Sequence, residues 1–377
     1  MNADTLTEQQ AFLILNALPN IGPITLNRLL EELGGDPRAI FSTSVRTLES
    51  VKGVGPAISS TIANWREHFD LAREEERMAK SGASFITPRD DAYPKLLKEI
   101  NDPPIGLYRK GRYTFDHPSI AIVGSRRTTL YGQGVAKKFG AELARLGFCV
   151  VSGLARGIDT AAHEGALSVG GKTAAVLGCG IDIVYPPENL SLYRQIEEQG
   201  AIVSEFSFGR RADRQSFPMR NRVVAGMCEA VVVVETDVNG GSMITARFAG
   251  EQGRLIFAVP GRIDQATSQG CHQLIRDGAT LLTSVDDILS ELNYLDGLRP
   301  RPIPDKASDT KNLSLAGLTE VESSVLEPFR GGALLTLDAL TAQTGRATAE
   351  LSATLMMLEL KHLIAKRADG TFEARGG

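Results

Sequence analysis

Short apolar runs alternate with amphipathic stretches through the middle of the chain. Residues 119–123, 148–151 and 173–177 are apolar runs, and each precedes a stretch with helical periodicity. Further runs of this kind are 201–204, 230–234, 255–259 and, more weakly, 279–282. Continuous apolar strands that alternate with helices predict a parallel sheet covered on both faces. We therefore predict a doubly wound, Rossmann-like α/β domain over residues 113–296.

Residues 1–70 have helical patterns and contain two similar short stretches, 18–24 and 51–57. In the second, Gly53 and Gly55 permit a tight turn with exposed N–H groups, and Pro56 suits the first turn of the next helix. The first stretch has Asn20 at the place of Gly53, and asparagine tolerates the left-handed conformation. This pattern predicts a helix-hairpin-helix, SAM-like domain. Its N–H groups could bind DNA phosphate, although a helical packing module without a ligand explains the pattern equally well.

The segments on either side of the central domain differ from it in composition. Residues 71–112 ahead of the domain and residues 297–317 behind it are rich in loop-forming residues, so we predict a connector and a linker. Thr319 and Glu322 predict a capping box, and Asp369-Gly370 favours a type I′ turn in a hairpin. Three helical stretches and this hairpin predict a winged helix over residues 318–377.

The third helical stretch of this winged helix has few of the side chains that read DNA bases. Residues 349–361 hold two acids and one lysine. A helix that reads the major groove needs Arg, Lys, Asn or Gln on the face that meets the bases. We therefore expect a protein-contact or weak DNA-binding module here, and the pattern disfavours a sequence-specific regulator.

The net charge of the chain does not indicate a nucleic-acid-binding protein. The chain has 41 Lys+Arg against 45 Asp+Glu, so a site for a polyanion has to come from a local concentration of arginine. Its four cysteines form no C-x-x-C pair, and we predict neither a metal nor a cofactor. There is no signal-peptide pattern and no run of about 18 apolar residues, so no membrane segment and a cytoplasmic protein are expected.

Arginine is concentrated in the loops that follow the predicted strands. These loops carry Arg126, Arg127, Arg156, Arg210, Arg211, Arg214, Arg220, Arg222 and Arg262. In an open parallel sheet such loops meet at the ligand-binding edge. The fourth loop also holds Phe206, Phe208 and Phe217. Guanidinium groups grip phosphate, aromatic rings stack on unpaired bases, and glycine lets backbone N–H groups approach phosphate. The pattern predicts a site for single-stranded DNA.

Enzymatic interpretations have weaker support. No Walker A loop is present, and no G-x-G-x-x-G follows the first strand. Asp159 and His163 stand four residues apart and could form an acid–base pair, but a cap or a helix-side hydrogen bond is the simpler interpretation. The alternative that stays open is a nucleotide phosphoribohydrolase-like enzyme, because residues 239–242 and Glu251 partly match a glycine loop with a glutamate. We favour a binding protein.

Several motifs resemble those of the DNA-processing protein DprA (Smf) family. They are residues 120–126 (IAIVGSR), 151–163 (VSGLARGIDTAAH), 175–186 (AVLGCGIDIVYP), 217–222 (FPMRNR), 241–246 (GSMITA) and 259–261 (VPG). The chain departs from the family at Gly241, where the family often has serine. The resemblance implies a dimeric binder of single-stranded DNA. It also implies that the protein protects incoming DNA and loads the RecA recombinase past single-strand-binding protein during natural transformation, the competence pathway.

The loops and the resemblance together give a set of predicted DNA-contacting residues. By motif position, the resemblance points to Arg126, Arg156 and residues 217–222. The full predicted set is Gly124, Ser125, Arg126, Arg127, Ser152, Gly153, Arg156, Phe217, Arg220, Asn221 and Arg222.

Overall fold

The computed structural model describes residues 6–293, 318–329, 333–367 and 369–374. The chain forms two compact units: one contains the N-terminal helices and a large sheet, and the other contains the winged helix. The predicted linker, residues 297–317, lies outside the described residues.

Seven short helices precede the sheet. They are α1 (Glu8–Ala17), α2 (Pro23–Glu32), α3 (Pro37–Ser42), α4 (Val45–Glu49), α5 (Pro56–Ala63), α6 (Trp65–His68) and α7 (Leu71–Ser81). The two predicted hairpin turns are present, with φ of 63° at Asn20 and 91° at Gly53. Pro23 and Pro56 each open the helix that follows, as the sequence predicts.

The central sheet has nine strands in the order β1-β2-β6-β5-β4-β3-β7-β8-β9. They are β1 (Ser84–Ile86), β2 (Leu107–Gly111), β3 (Ser119–Gly124), β4 (Cys149–Ser152), β5 (Thr173–Val176), β6 (Ala201–Ser204), β7 (Ala230–Val234), β8 (Leu255–Ala258) and β9 (Thr280–Leu281). Strands β3 to β9 are parallel, which confirms the predicted doubly wound architecture. Strands β1 and β2 pair antiparallel at one edge.

Residues 71–112, predicted as a connector, therefore contain α7, β1, the single-turn α8 (Lys95–Lys98) and β2. The difference has a local cause. Strand β1 has three residues and β2 ends in Arg-Lys-Gly, so neither gives a continuous apolar run. Loop-forming prolines and glycines surround both strands and dominate the sequence pattern.

Helices cover both faces of the sheet because the strand side chains alternate. Ile120 and Ile122 point to one face, where they pack with α9 (Leu130–Arg145), α10 (Ile158–Ser168) and α15 (Val285–Glu291). Ala121 and Val123 point to the other face, where the packed helices are α12 (Ser216–Gly226), α13 (Gly241–Glu251) and α14 (Ala266–Arg276). Both faces are thus buried, as continuous apolar strands require.

The N-terminal helices share a core with one end of the sheet. They pack with Tyr108 and Ile202 and with α11 (Leu190–Gln199). Buried Glu74 on α7 accepts hydrogen bonds from the Tyr108 hydroxyl (2.7 Å) and the Phe208 backbone N–H (2.9 Å). On α1, the Asn16 side chain donates to the Glu205 carbonyl (3.0 Å). These bonds fix the start of the arginine-rich loop between β6 and α12.

The C-terminal unit is a winged helix. Its elements are α16 (Glu320–Leu326), β10 (Leu334–Leu335), α17 (Leu337–Thr344), α18 (Thr348–Leu360), β11 (Ile364–Lys366) and β12 (Phe372–Ala374). The Thr319–Glu322 capping box is present. The predicted type I′ turn is wrong: Gly370 has φ of 84°, but its N–H donates to the Arg367 carbonyl (3.0 Å), which places Gly370 at the end of the turn.

Within the described ranges, every helix is too short or too polar to cross a membrane.

Candidate functional site

A cleft opens at the carboxyl ends of β3 and β7. From β3 the sheet continues through β4 to β6 on one side and through β7 to β9 on the other, so the chain reverses its winding direction here. Such a switch point leaves a crevice in which open α/β sheets bind ligands. The cleft has a volume of about 460 Å³ and lies where the strand pattern predicts a site.

The first wall of the cleft is the loop after β3. A Cβ atom at Gly124 would overlap the Val234 carbonyl oxygen, so glycine lets this loop cross the end of β7. The Ser125 N–H donates to the Glu235 carbonyl (2.7 Å), and the Ser125 hydroxyl accepts from the Arg127 N–H (3.0 Å). The backbone is therefore tied to the sheet, while the side chains of Arg126 and Arg127 extend into solvent.

The floor of the cleft is the loop between β4 and α10. The buried Asp159 carboxylate accepts the N–H groups of Gly153 (3.1 Å) and Ala155 (3.2 Å). The Ser152 hydroxyl donates to the Ile122 carbonyl (2.7 Å). We expected glycine-loop N–H groups to face phosphate, and this expectation is wrong for Ser125, Gly153 and Ala155, because each of these N–H groups already has an internal acceptor.

Arg220 lies beneath this floor. Its residue surface is 5% exposed, and Nη1 donates to the Val176 carbonyl (3.1 Å). A Cβ atom at Gly153 would overlap the guanidinium, so the glycine makes room for the arginine. Burial raises the pKa of Asp159, and the positive charge of Arg220 opposes this shift. The positive charge of Arg220 therefore contributes to the electrostatic potential of the cleft from beneath its floor.

The second wall is α12 and the loop before it. The Arg126 guanidinium carbon lies 4.8 Å from the centre of the Phe217 ring, which is half-buried. Arg214 and Asn221 also line the cleft. Among the residues that line the cleft, four arginines stand against two aspartates, so the cleft is positively charged overall.

The loop after β7 closes the cleft on its far side. Thr236, Asp237 and the first turn of α13, from Gly241 to Thr245, line it. This loop follows a predicted strand and so lies at the predicted ligand edge, but the predicted contact residues leave it out. In the sequence, only the position of this loop after a strand indicates a ligand site, because the loop carries no arginine or aromatic residue.

Two predicted arginines do not line the cleft. Arg222 is 7% exposed and forms an ion pair with Glu205, while its Nε lies 3.4 Å from the Asp102 carboxylate. Residues two apart on a helix point about 200° away from each other, so Arg220 and Arg222 cannot share one side of α12. Arg156 is exposed and pairs with Glu188 outside the cleft. The assignment of Arg222 to a DNA contact is therefore wrong on geometry.

Of the three predicted loop phenylalanines, two are buried away from the cleft. Phe206 and Phe208 are 4% and 8% exposed, because they fill the core beneath the loop. Phe208 packs edge-on against Tyr108, with ring centres 5.6 Å apart. The Arg210 guanidinium covers Phe206 at 4.6 Å. Only Phe217 of the three lies in the cleft wall.

The structure does not assemble the two enzymatic candidates. The His163 Nδ1 pairs with the Thr173 hydroxyl (2.7 Å), and burial lowers the pKa of His163 to about 3. Asp159 is occupied by two backbone N–H groups, so these residues form no acid–base pair. Glu251 is exposed and pairs with Arg247 at the end of α13, roughly 15 Å along the helix from Gly241.

The third helix of the winged helix, α18, exposes apolar side chains. Met356 and Leu360 are each 65% exposed on α18, and Met357 is 48% exposed. The helix carries no arginine or lysine between Thr348 and Leu360. Its surface therefore lacks the donors that a major-groove helix uses, as the sequence predicts.

Comparison with known proteins places the fold and the motifs in one family. The family model for DNA recombination-mediator protein A matches residues 84–293, and the model for the DprA winged helix domain matches residues 310–370. Protein Smf of Synechocystis sp. is 32% identical over 404 aligned residues, which cover 98% of this chain and 99% of that protein. The fold is thus that of a Rossmann-like domain joined to a winged helix. The chain belongs to the DprA (Smf) family.

Two solved structures are similar to this chain. The X-ray structure of DNA processing protein A from Streptococcus pneumoniae has a TM-score of 0.67 at 35% identity and covers 76% of this chain and 98% of that one. DNA processing protein A from Helicobacter pylori, whose structure addresses its single-stranded DNA binding mode, has a TM-score of 0.51 at 31% identity. That match covers 56% of this chain and 96% of the H. pylori chain.

Proposed function

We propose that this protein binds the phosphate backbone and bases of single-stranded DNA in the cleft between β3 and β7. The observation that carries the proposal is the contact between Arg126 and Phe217, which puts an exposed cation and an aromatic ring side by side. A single strand offers phosphate and an unpaired base together, whereas a duplex hides its base faces. Membership of a recombination-mediator family and the similarity to the H. pylori protein support this ligand.

The contact residues in this proposal are fewer than the sequence predicts. Arg126, Arg127 and Arg214 reach the phosphates, and Phe217 stacks on a base. Gly124, Ser125, Ser152 and Gly153 shape the loops, Asn221 lines the cleft, and Arg220 adds positive charge from beneath. Arg156 joins the site only when a strand displaces it from Glu188.

In the cell, we propose, the protein acts as a recombination mediator and not as an enzyme. The family resemblance implies that it protects incoming DNA and loads RecA onto strands that single-strand-binding protein covers, as a homodimer, during natural transformation. The arginine-lined cleft is suited to this task because binding through phosphate and stacking is independent of sequence.

A loading assay tests the proposal. RecA ATPase activity is measured on single-stranded DNA that has been coated with single-strand-binding protein, with and without this protein. We expect the full chain to shorten the lag before ATP hydrolysis and Arg126→Ala to leave the lag unchanged. A full chain that binds single strands but never shortens the lag would contradict the loading role and leave the binding role intact.

A further inference from the structure

The aromatic surface of the cleft continues past Phe217. The Tyr185 ring centre lies 5.9 Å from the Phe217 ring centre, with 44° between the ring planes. Phe217 therefore contacts both Arg126, which lines the cleft, and Tyr185, which is not among the residues that line it. Tyr185 is 42% exposed, so its ring is accessible to a ligand.

The backbone on both sides of Tyr185 is held rigidly. Ahead of it, the Tyr193 hydroxyl donates to the Ile181 carbonyl (2.7 Å). Behind it, the buried Asn189 side chain donates to the Leu154 carbonyl (2.9 Å) and contacts the Thr160 hydroxyl (3.0 Å). The loop thus presents the Tyr185 ring at a fixed place beside the cleft instead of letting it fold into the core.

A positive group also lies near the Tyr185 ring. The exposed Arg156 guanidinium pairs with Glu188, three residues after Tyr185; this pairing raises the pKa of Arg156, and the nearby Tyr185 hydroxyl adds to the shift. A cation is thus available at each ring, Arg126 at Phe217 and Arg156 near Tyr185. A single strand offers phosphates to such cations and unpaired bases to such rings.

We infer that Tyr185 is a second base-stacking residue, which receives the nucleotide next to the one on Phe217; this inference rests on the proposed function. Bases in a stacked helix repeat about every 3.4 Å along each strand. The two rings are 5.9 Å apart, so successive bases reach both rings only when the strand is stretched and unstacked. A flexible single strand opens to that spacing readily, whereas a duplex has to unstack both of its strands at a cost of a few kcal/mol per step. We therefore expect the second ring to favour single strands over duplexes.

The test compares two ligands of equal length, oligo(dT) and an oligomer of abasic deoxyribose phosphate. We expect Tyr185→Ala to weaken oligo(dT) binding by at least about fivefold and to leave abasic binding unchanged, because only a base can stack. Tyr185→Phe keeps the ring and should bind like the unmodified chain. Tyr185→Leu keeps apolar bulk without a π-face and should behave like the alanine variant.

Leu190→Ala is the matched control, since Leu190 is 43% exposed a few residues further on. It should bind both ligands like the unmodified chain. Equal weakening of both ligands by Tyr185→Ala would mean that the ring only shapes the loop, and would overturn the inference. Binding of oligo(dT) at full affinity by Tyr185→Ala, while Phe217→Ala is weakened, would overturn it too and leave the proposed function standing. If the unmodified chain itself binds no single strand, the proposed function fails and this inference falls with it.

Discussion

Arg220 and Arg222 stand two residues apart on α12 and face opposite sides of it. Arg220 lies under the cleft and donates to the Val176 carbonyl. Arg222 instead pairs with Glu205, at the start of the loop between β6 and α12. Both belong to the motif FPMRNR, and the motif alone predicts both of them as phosphate ligands. The helix separates their roles, because one residue borders the ligand site and the other holds the protein together.

This separation predicts that Arg222→Ala destabilises the fold. Removing Arg222 leaves the Glu205 carboxylate, which is 9% exposed, without its partner in the core. Breaking a buried ion pair by removing one partner costs about 3–5 kcal/mol of unfolding free energy. Urea unfolding followed by circular dichroism measures this loss. Unchanged stability together with lost DNA affinity would place Arg222 at the ligand after all.

Phe217→Ala tests the stacking half of the site. The variant should lose roughly 1–3 kcal/mol of affinity for oligo(dT), because one base loses its ring. The dependence of affinity on salt should stay the same, since stacking releases no counterions. Fluorescence anisotropy at several salt concentrations gives both quantities. A changed slope would show that the ring acts by positioning Arg126 instead.

Glu188→Gln should raise the affinity for single strands. The change frees Arg156, which forms an exposed ion pair with Glu188 in the unbound protein. Exposed pairs are worth up to about 1 kcal/mol, so the gain should stay below roughly fivefold at low salt. In an Arg156→Ala background the same change should give no gain. A gain of equal size in both backgrounds would mean that Arg156 takes no part in binding.

His163 should make the protein sensitive to acid. Burial lowers the pKa of His163 from 6.5 to about 3, so the folded state keeps this residue neutral while the unfolded chain takes up a proton. The stability that neutral His163 contributes is present above pH 6.5 and is lost as the pH falls toward 3. Over this range the free energy of unfolding should fall by about 1.4 kcal/mol per pH unit. Denaturant unfolding at several pH values measures the slope. His163→Gln should flatten it, and an identical slope in both proteins would contradict the assignment.

The sequence predicts the parallel part of the fold and the edge on which the site lies. Buried parallel strands are apolar on both faces, so runs such as residues 230–234 stand out without any structural information. The sequence pattern misses β1 because it has only three residues, and β2 because it ends in Arg-Lys-Gly. Both lie at an antiparallel edge of the sheet, where the long-range pairing of β2 with β6 decides the conformation. Local pattern cannot report such a pairing.

Side-chain direction is the other quantity that the sequence leaves undetermined. The sequence does not distinguish the roles of the nine loop arginines, whereas the structure places four of them in the lining of the cleft. The others cover Phe206, pair with Glu188, Glu205 or Asp264, or lie in solvent at Arg211. Whether an arginine meets a carboxylate depends on elements far apart in the chain. For the same reason, the pattern missed that the Asp159 carboxylate occupies the loop N–H groups.

The most direct test of the central claim is the salt dependence of oligo(dT) binding for three proteins: the unmodified chain, Arg126→Ala and Arg247→Ala. Arg247 is an exposed arginine on α13 outside the cleft, and it serves as the charge-matched control. We predict that Arg126→Ala binds more weakly and has a log–log slope that is shallower by about 0.7, the value for one phosphate contact on a single strand. Arg247→Ala should match the unmodified chain. Equal affinity and slope for Arg126→Ala and the unmodified chain would contradict the assignment of this cleft to single-stranded DNA.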